Sequence, residues 1–142
     1  MIRILSSLAT VLLTTVASAQ LTCTVTNVAP SCGPVIGVTF TPVGAGGNQT
    51  ITVSATGLHP DSQGVMNWGA TQLFVPLPGG CPLLCDFVWG HKFVTNDFGE
   101  FSWSRTWPHW YQYSWLMQVG SWDLIAGNLE FRSTDLKLAG CF

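Results

Sequence analysis

The amino-acid sequence predicts an all-β fold, a single antiparallel β-sandwich of about 8–10 short strands held by disulfides. Three observations lead there. Apolar and polar residues alternate with a period of two in one segment after another, the pattern of strands that are dry on one face and wet on the other. Gly, Pro, Asn and Asp punctuate these segments at short intervals, and helical periodicity is absent beyond the N-terminal apolar run. All five cysteines, at 23, 32, 81, 85 and 141, follow an export signal, and export makes disulfides the default state of a thiol pair.

That signal occupies residues 1–19. Met1-Ile2-Arg3 is a short basic start, residues 4–16 an apolar run, and Ala17-Ser18-Ala19 a small-residue cleavage site. The run is too short and too interrupted by Ser and Thr to span a membrane. Cys23 lacks the small residues before it that a lipid-modification site needs. Cleavage leaves Gln20 first and a secreted, extracellular or cell-surface domain over residues 20–142, of a size that suits one core. Without Arg3, four basic residues face seven acidic ones, a formal charge of −3 with no basic run. Nucleic acid is therefore not an expected partner. So few charges leave the surface to Thr, Ser, Asn, Gln and apolar groups, a composition that favours self-association or attachment to a wall or matrix.

In chain order, residues 21–27, 35–41 and 49–55 each set apolar side chains against Thr or Ser. Thr-x-Thr steps suit the solvated side of any strand and also an ice-binding face. Residues 44–48 form a hairpin connection and 57–64 a longer loop. Asn48-Gln49-Thr50 is a glycosylation sequon, with meaning only where the host glycosylates such sites. Strands follow at 65–69 and 71–75. Pro76-Leu-Pro-Gly-Gly-Cys81 carries two Pro and two Gly and reads as an ordered loop. Extended structure resumes at 86–89 and 92–94, and Asn96-Asp-Phe-Gly99 has turn chemistry.

Residues 101–119 hold four of the seven Trp and both Tyr. Phe101, Trp103, Arg105 and Trp107 share one face. Pro108 breaks the run, and Tyr111, Tyr113, Trp115, Met117 and Val119 share the next, with Gln112, Ser114 and Gln118 opposite. This predicts an antiparallel aromatic hairpin. Short strands at 124–125, 128–132 and 136–138 complete the chain.

An odd cysteine count leaves one thiol unpaired. Five choices of the leftover and three pairings of the rest give about 15 connectivities, all open at this level. Cys81 and Cys85 are near enough to close a small loop, Cys141 suits a clip to Cys23 or Cys32, and a free Cys141 would suit joining two chains. His59, His91 and His109 are scattered, so neither a metal nor another cofactor is expected.

Pro34-Val-Ile-Gly37, residues 76–84, Asn96-Asp-Phe-Gly-Glu-Phe-Ser-Trp-Ser104 running to Pro108, Trp115-Leu-Met-Gln118 and Ser133-Thr-Asp-Leu-Lys-Leu138 occur in one order over nearly the whole exported chain. That order resembles an uncharacterised secreted module found at the C-terminal end of exported proteins of planctomycetes and related bacteria. The resemblance implies a β-sandwich, with an N-terminal Cys and the Cys81 region as its usual cysteines, and supplies no catalytic set. The chain departs from it in standing alone, in its extra cysteines and in Trp at aliphatic positions of the aromatic stretch.

Catalysis is not expected. No Gly-x-Ser-x-Gly elbow is present. His59-Pro-Asp61 reads as a turn rather than a His–carboxylate pair, and no two carboxylates among Asp86, Asp97, Glu100, Asp123, Glu130 and Asp135 are set apart as an acid and a base. Trp103 and Trp115 suit the core. Trp107, Trp110 and Tyr111 flank the Pro108 turn and, with Arg105, are the candidate binding residues. The expectation is a non-catalytic structural or adhesive extracellular protein that associates with itself or with surface or matrix components. The alternative is a carbohydrate-binding module using the aromatic hairpin.

Overall fold

A computed structural model describes residues 22–44, 47–108 and 110–142. The expected export signal at 1–19, the N-terminus expected at Gln20, Leu21, residues 45–46 of the expected hairpin connection and His109 lie outside the described residues. Eleven strands run through the rest and no helix: β1 (Cys23–Ala29), β2 (Val35–Val43), β3 (Asn48–Thr56), β4 (Gln63–Gly69), β5 (Gln72–Pro76), β6 (Pro82–Cys85), β7 (Trp89–Val94), β8 (Phe101–Trp107), β9 (Tyr113–Ile125), β10 (Asn128–Ser133) and β11 (Leu136–Cys141). The expected all-β, disulfide-bonded architecture of packed antiparallel sheets is what the chain adopts, with slightly more strands than the sequence suggested.

The large sheet has the order β1-β11-β9-β4-β7, with β10 also paired to β9. The small sheet has the order β2-β3-β8, and β5 and β6 make a separate ribbon. Strand β3 shows why the sheets pack: Ile51, Val53 and Ala55 are buried while Thr50, Thr52, Ser54 and Thr56 face outward. Ile36, Ile51 and Val53 from the small sheet meet Met66, Met117 and Val119 from the large one. Each such side chain contributes about 1.5–3 kcal/mol by leaving water. The outer face of the small sheet is a set of hydroxyl rows, with Thr50 bonded to Thr106 at 2.8 Å and Thr52 to Ser104 at 2.9 Å.

The aromatic stretch is not a hairpin. Strand β8 pairs with β3, and β9 pairs with β4, β10 and β11. The turn at Pro108, closed by Tyr111 N–H donating to the Pro108 carbonyl at 3.0 Å, carries the chain from one sheet to the other. Two apolar faces joined by a short turn can lie side by side in one sheet or look at each other across the interior. Here the second arrangement turns both inward, with Arg105 left exposed.

Strand β9 runs unbroken through Gly120, where the sequence suggested a gap. A Cβ at Gly120 would run into the Phe131 ring, as one at Gly64 would into Phe93. These glycines accommodate cross-strand aromatics rather than end strands. Ser133 pairs with Gly120 and Lys137 with Met117, so Thr134, Asp135 and Leu136 stand against Gln118 and Val119 in a β-bulge. The bulge frees the Asp135 carboxylate to accept from Ile36 N–H at 2.9 Å and to pair with Lys137 at 2.6 Å. Asp135 thus ties β2 to the large sheet.

One cysteine expectation needs correction and another is met. Cys81 does not close a small loop with Cys85: it bonds Cys32, and residues 82–85 form β6 against β5. Cys141 makes the expected clip to the N-terminal segment and so is not free: it bonds Cys23, its register partner on β1. Thr22 and Phe142 exchange backbone hydrogen bonds on one side of that pair, which leaves Cys23 and Cys141 at a non-hydrogen-bonded position, where facing side chains come closest. The unpaired residue is Cys85, fully buried; it belongs to no disulfide and offers no thiol at the surface to join two chains.

Gln118 was assigned to a polar outer face and is instead buried beneath the β5–β6 ribbon. Its Oε1 accepts from Leu84 N–H at 2.8 Å, and its Nε2 donates to the Pro82 and Thr134 carbonyls at 3.1 Å each. With both ends of the amide satisfied, burial carries little penalty. The ribbon covers a second apolar cluster of Leu84, Cys85, Leu116 and Leu136. That is why residues 115–117 are apolar on both faces of the strand.

Candidate binding site

Where β7, the edge of the large sheet, approaches β8, the edge of the small one, aromatic rings collect. Trp68 and Trp89 are register partners on β4 and β7 and meet edge to face at 5.7 Å. Trp103 from β8 packs against Trp68 at 5.7 Å. Further along β8, the Trp107 ring is stacked on Tyr111 at 5.0 Å with 12° between planes, and the Arg105 guanidinium carbon sits 4.4 Å from the Trp107 centroid. Side chains of Arg105 and Trp107 lie two residues apart on a strand and so project the same way. The turn at Pro108 folds Tyr111 back over them.

Between these groups lies a cleft of 180 Å³ lined by Trp68, Trp89, Arg105, Trp107, Tyr111 and Trp115. Its walls come from both sheets and from the turn that joins them. Wider depressions elsewhere, of 660 and 650 Å³, are more open and gather no comparable set of rings. The residues proposed from the sequence divide cleanly. Arg105, Trp107 and Tyr111 are brought together at the cleft, whereas Trp110 lies outside it, 70% exposed and edge-on to Tyr111 at 6.3 Å. Trp103 is partly buried and packs against the core. Trp115 is only partly buried and lines the cleft, so its assignment to the core is half right. Trp68 and Trp89 were not singled out; nothing near them in the sequence signals that β4 and β7 are neighbours.

The polar character of the cleft is one-sided. Among the described residues the one ion pair is Lys137–Asp135, so Arg105 has no carboxylate partner. The indole N–H groups of Trp68 and Trp107 are buried without an acceptor among the described residues. Tyr113, just behind Tyr111, is buried, and that burial together with nearby Tyr111 pushes its hydroxyl up to about 12.

The groups considered for catalysis are dispersed. His59 is buried, its backbone carbonyl accepting from Ser62 and Thr95 hydroxyls at 2.7 and 2.6 Å. Burial, and then the Arg132 charge, lower its imidazole below 6.5. Asp61 stands in a left-handed conformation in the adjoining turn. Burial, then the Asp86 charge, push the Cys85 thiol up to about 12, the opposite of what a nucleophile needs. Among the described residues no three His, Cys, Asp or Glu are placed to hold a metal ion.

Fold and site define the class: a disulfide-braced all-β sandwich with an aromatic cleft where two sheet edges meet. Comparisons with protein-family models, curated proteins and solved structures give no match.

Proposed function

We propose that this protein is a non-catalytic, exported adhesive module that holds extracellular carbohydrate in its aromatic cleft. The observation that carries this reading is the convergence of Trp68, Trp89, Trp107, Tyr111 and Trp115 on one cavity. Sugar rings present apolar C–H faces that pack on aromatic rings, while their edges need hydrogen bonds. A cavity of 180 Å³, below the roughly 300–1,000 Å³ of pockets for drug-sized ligands, suits one ring of a chain rather than a whole oligosaccharide. The aromatic turn thus serves the carbohydrate reading as one wall of a cleft between two sheets, not as a flat hairpin platform. Dispersed titratable groups and an inert buried thiol support a non-catalytic role.

The test is retention on insoluble and soluble polysaccharides by pull-down and titration calorimetry, with Trp107→Ala and Trp89→Ala as cleft variants and Trp110→Ala as the control. The reading expects binding lost in the first two and kept in the third. Equal binding in all four proteins refutes it.

Self-association is a second reading, favoured by a separate observation. Leu124, Ile125 and Leu129 stand 69%, 38% and 49% exposed at the β9–β10 hairpin tip, an apolar cluster that invites a contact between copies. Sedimentation across a hundredfold concentration range, with Leu124→Lys as the disrupting variant, distinguishes it: a monomer throughout removes this reading.

A further inference from the structure

We infer that the cleft selects an acidic sugar ring, one bearing a carboxylate or sulfate, over a neutral one; the inference rests on the cleft being a carbohydrate site. It follows from the hydrogen-bonding inventory of the walls. Four of the six lining side chains are Trp, whose indoles accept nothing and whose N–H, in Trp68 and Trp107, is buried, and a fifth is Arg105, whose exposed guanidinium only donates. The Tyr111 hydroxyl is the one side-chain acceptor in the lining. A neutral sugar edge is a row of hydroxyls, each seeking an acceptor as well as a donor. Here most of those protons would go without a side-chain partner. An ionised carboxylate or sulfate accepts and never donates, so it needs no acceptor from the walls and matches the exposed donor edge of Arg105.

The placement of Arg105 sharpens the match. Its guanidinium lies over Trp107 at 4.4 Å, a contact that holds the planar fork without consuming its edge N–H groups. No acidic residue lines the cleft, and Arg105 forms no ion pair among the described residues. The result is an oriented, exposed cation with unclaimed donors beside an apolar ring site. A fork of this kind binds carboxylate through two parallel N–H···O bonds and reaches sulfate as well. The chain as a whole is acidic, so the preference arises locally from Arg105 and not from general attraction of anions to the surface.

Titration calorimetry of the exported chain against four probes tests the inference: a polygalacturonate oligomer, its methyl-esterified form, a sulfated galactan oligomer and a neutral cello-oligosaccharide. Arg105→Gln, Arg105→Lys and Trp107→Ala accompany the parent, with circular dichroism confirming that each remains folded. The expected result is that one or both acidic probes bind at least tenfold more tightly than the neutral and esterified ones. Arg105→Gln then costs about tenfold to a hundredfold for the acidic probe alone, and Arg105→Lys recovers part of the loss. The relative strength of uronate and sulfate identifies which anion the fork holds. Equal binding of neutral and acidic probes, with Arg105→Gln silent and Trp107→Ala damaging, overturns the acidic preference and leaves the carbohydrate site standing. Absence of binding to every probe overturns both.

Discussion

Replacing Cys23 and Cys141 together by Ser removes the bond that closes the longest loop in the molecule. The two residues are 118 positions apart. With the loop-entropy relation, an uncross-linked chain of that span gains enough freedom on unfolding to cost the folded state about 5 kcal/mol. The corresponding loss for Cys32 and Cys81, 49 positions apart, is about 4 kcal/mol. Domains of this size are stable by about 5–15 kcal/mol in total, so either bond represents a large share. A loss of 5 kcal/mol corresponds to a fall in Tm of about 20 °C for some 120 ordered residues. Thermal unfolding followed by circular dichroism, in parallel for the parent and the two double variants, reads this directly. The longer-loop variant is expected to melt slightly below the shorter-loop one, and both far below the parent. Because the Cys23–Cys141 pair also sits in the last rungs of the β1–β11 ladder, native contacts there survive the substitution and the effect isolates the cross-link. A variant lacking both of these cysteines that melts within about 3 °C of the parent would refute the reasoning, since the clasp would then constrain an unfolded chain already compact near its ends.

Two further outcomes follow from buried titratable groups. Cys85, shifted from 9.0 to about 12 by burial, should react with a disulfide reagent about a thousandfold more slowly at pH 8 than an ordinary thiol through its thiolate deficit alone; thiol counting should give none in the native protein and one after non-reducing denaturation, and a rapid native thiol would contradict the placement. His59 has a folded pKa below its unfolded 6.5, so the unfolded chain binds the extra proton first as pH falls. Its contribution is present above about 6.5 and is lost below that value, at up to about 1.4 kcal/mol per pH unit. Urea midpoints between pH 7.5 and 5 should fall more steeply for the parent than for His59→Gln, and identical slopes would exclude His59 as the source.

Much of the architecture was legible because it is local. The reading of residues 35–41 and 49–55 as strands recovers the centres of β2 and β3, whose alternation is set by one dry face. The turn at residues 96–99 was legible too: Asn96 Oδ1 accepts from Phe98 and Glu100 N–H at 3.1 and 2.8 Å, the self-contained chemistry its sequence announces. What alternation does not encode is who the neighbours are. It placed Trp103 and Trp107 on one face correctly, yet offered no means to see that β8 pairs with β3 rather than with β9. It also reads Gln118 as outward, whereas Gln118 is inside because particular backbone groups await it there. Arg105, Trp107 and Tyr111 were identifiable as a site because seven residues of chain contain them. Trp68, Trp89 and Trp115 arrive from three other strands through long-range register, which no local pattern carries.

The clasp between Cys23 and Cys141 has a mechanical meaning. Thr22 and Phe142 lie side by side just outside it, so a pull applied through those two residues breaks only their own two backbone hydrogen bonds before it meets a covalent bond. The load path crosses the sulfur atoms and bypasses β2 to β10 altogether. Tension that would unzip an ordinary terminal ladder rung by rung leaves this sandwich, and the cleft inside it, unloaded. Reduction would convert it from a rigid link into an extensible one.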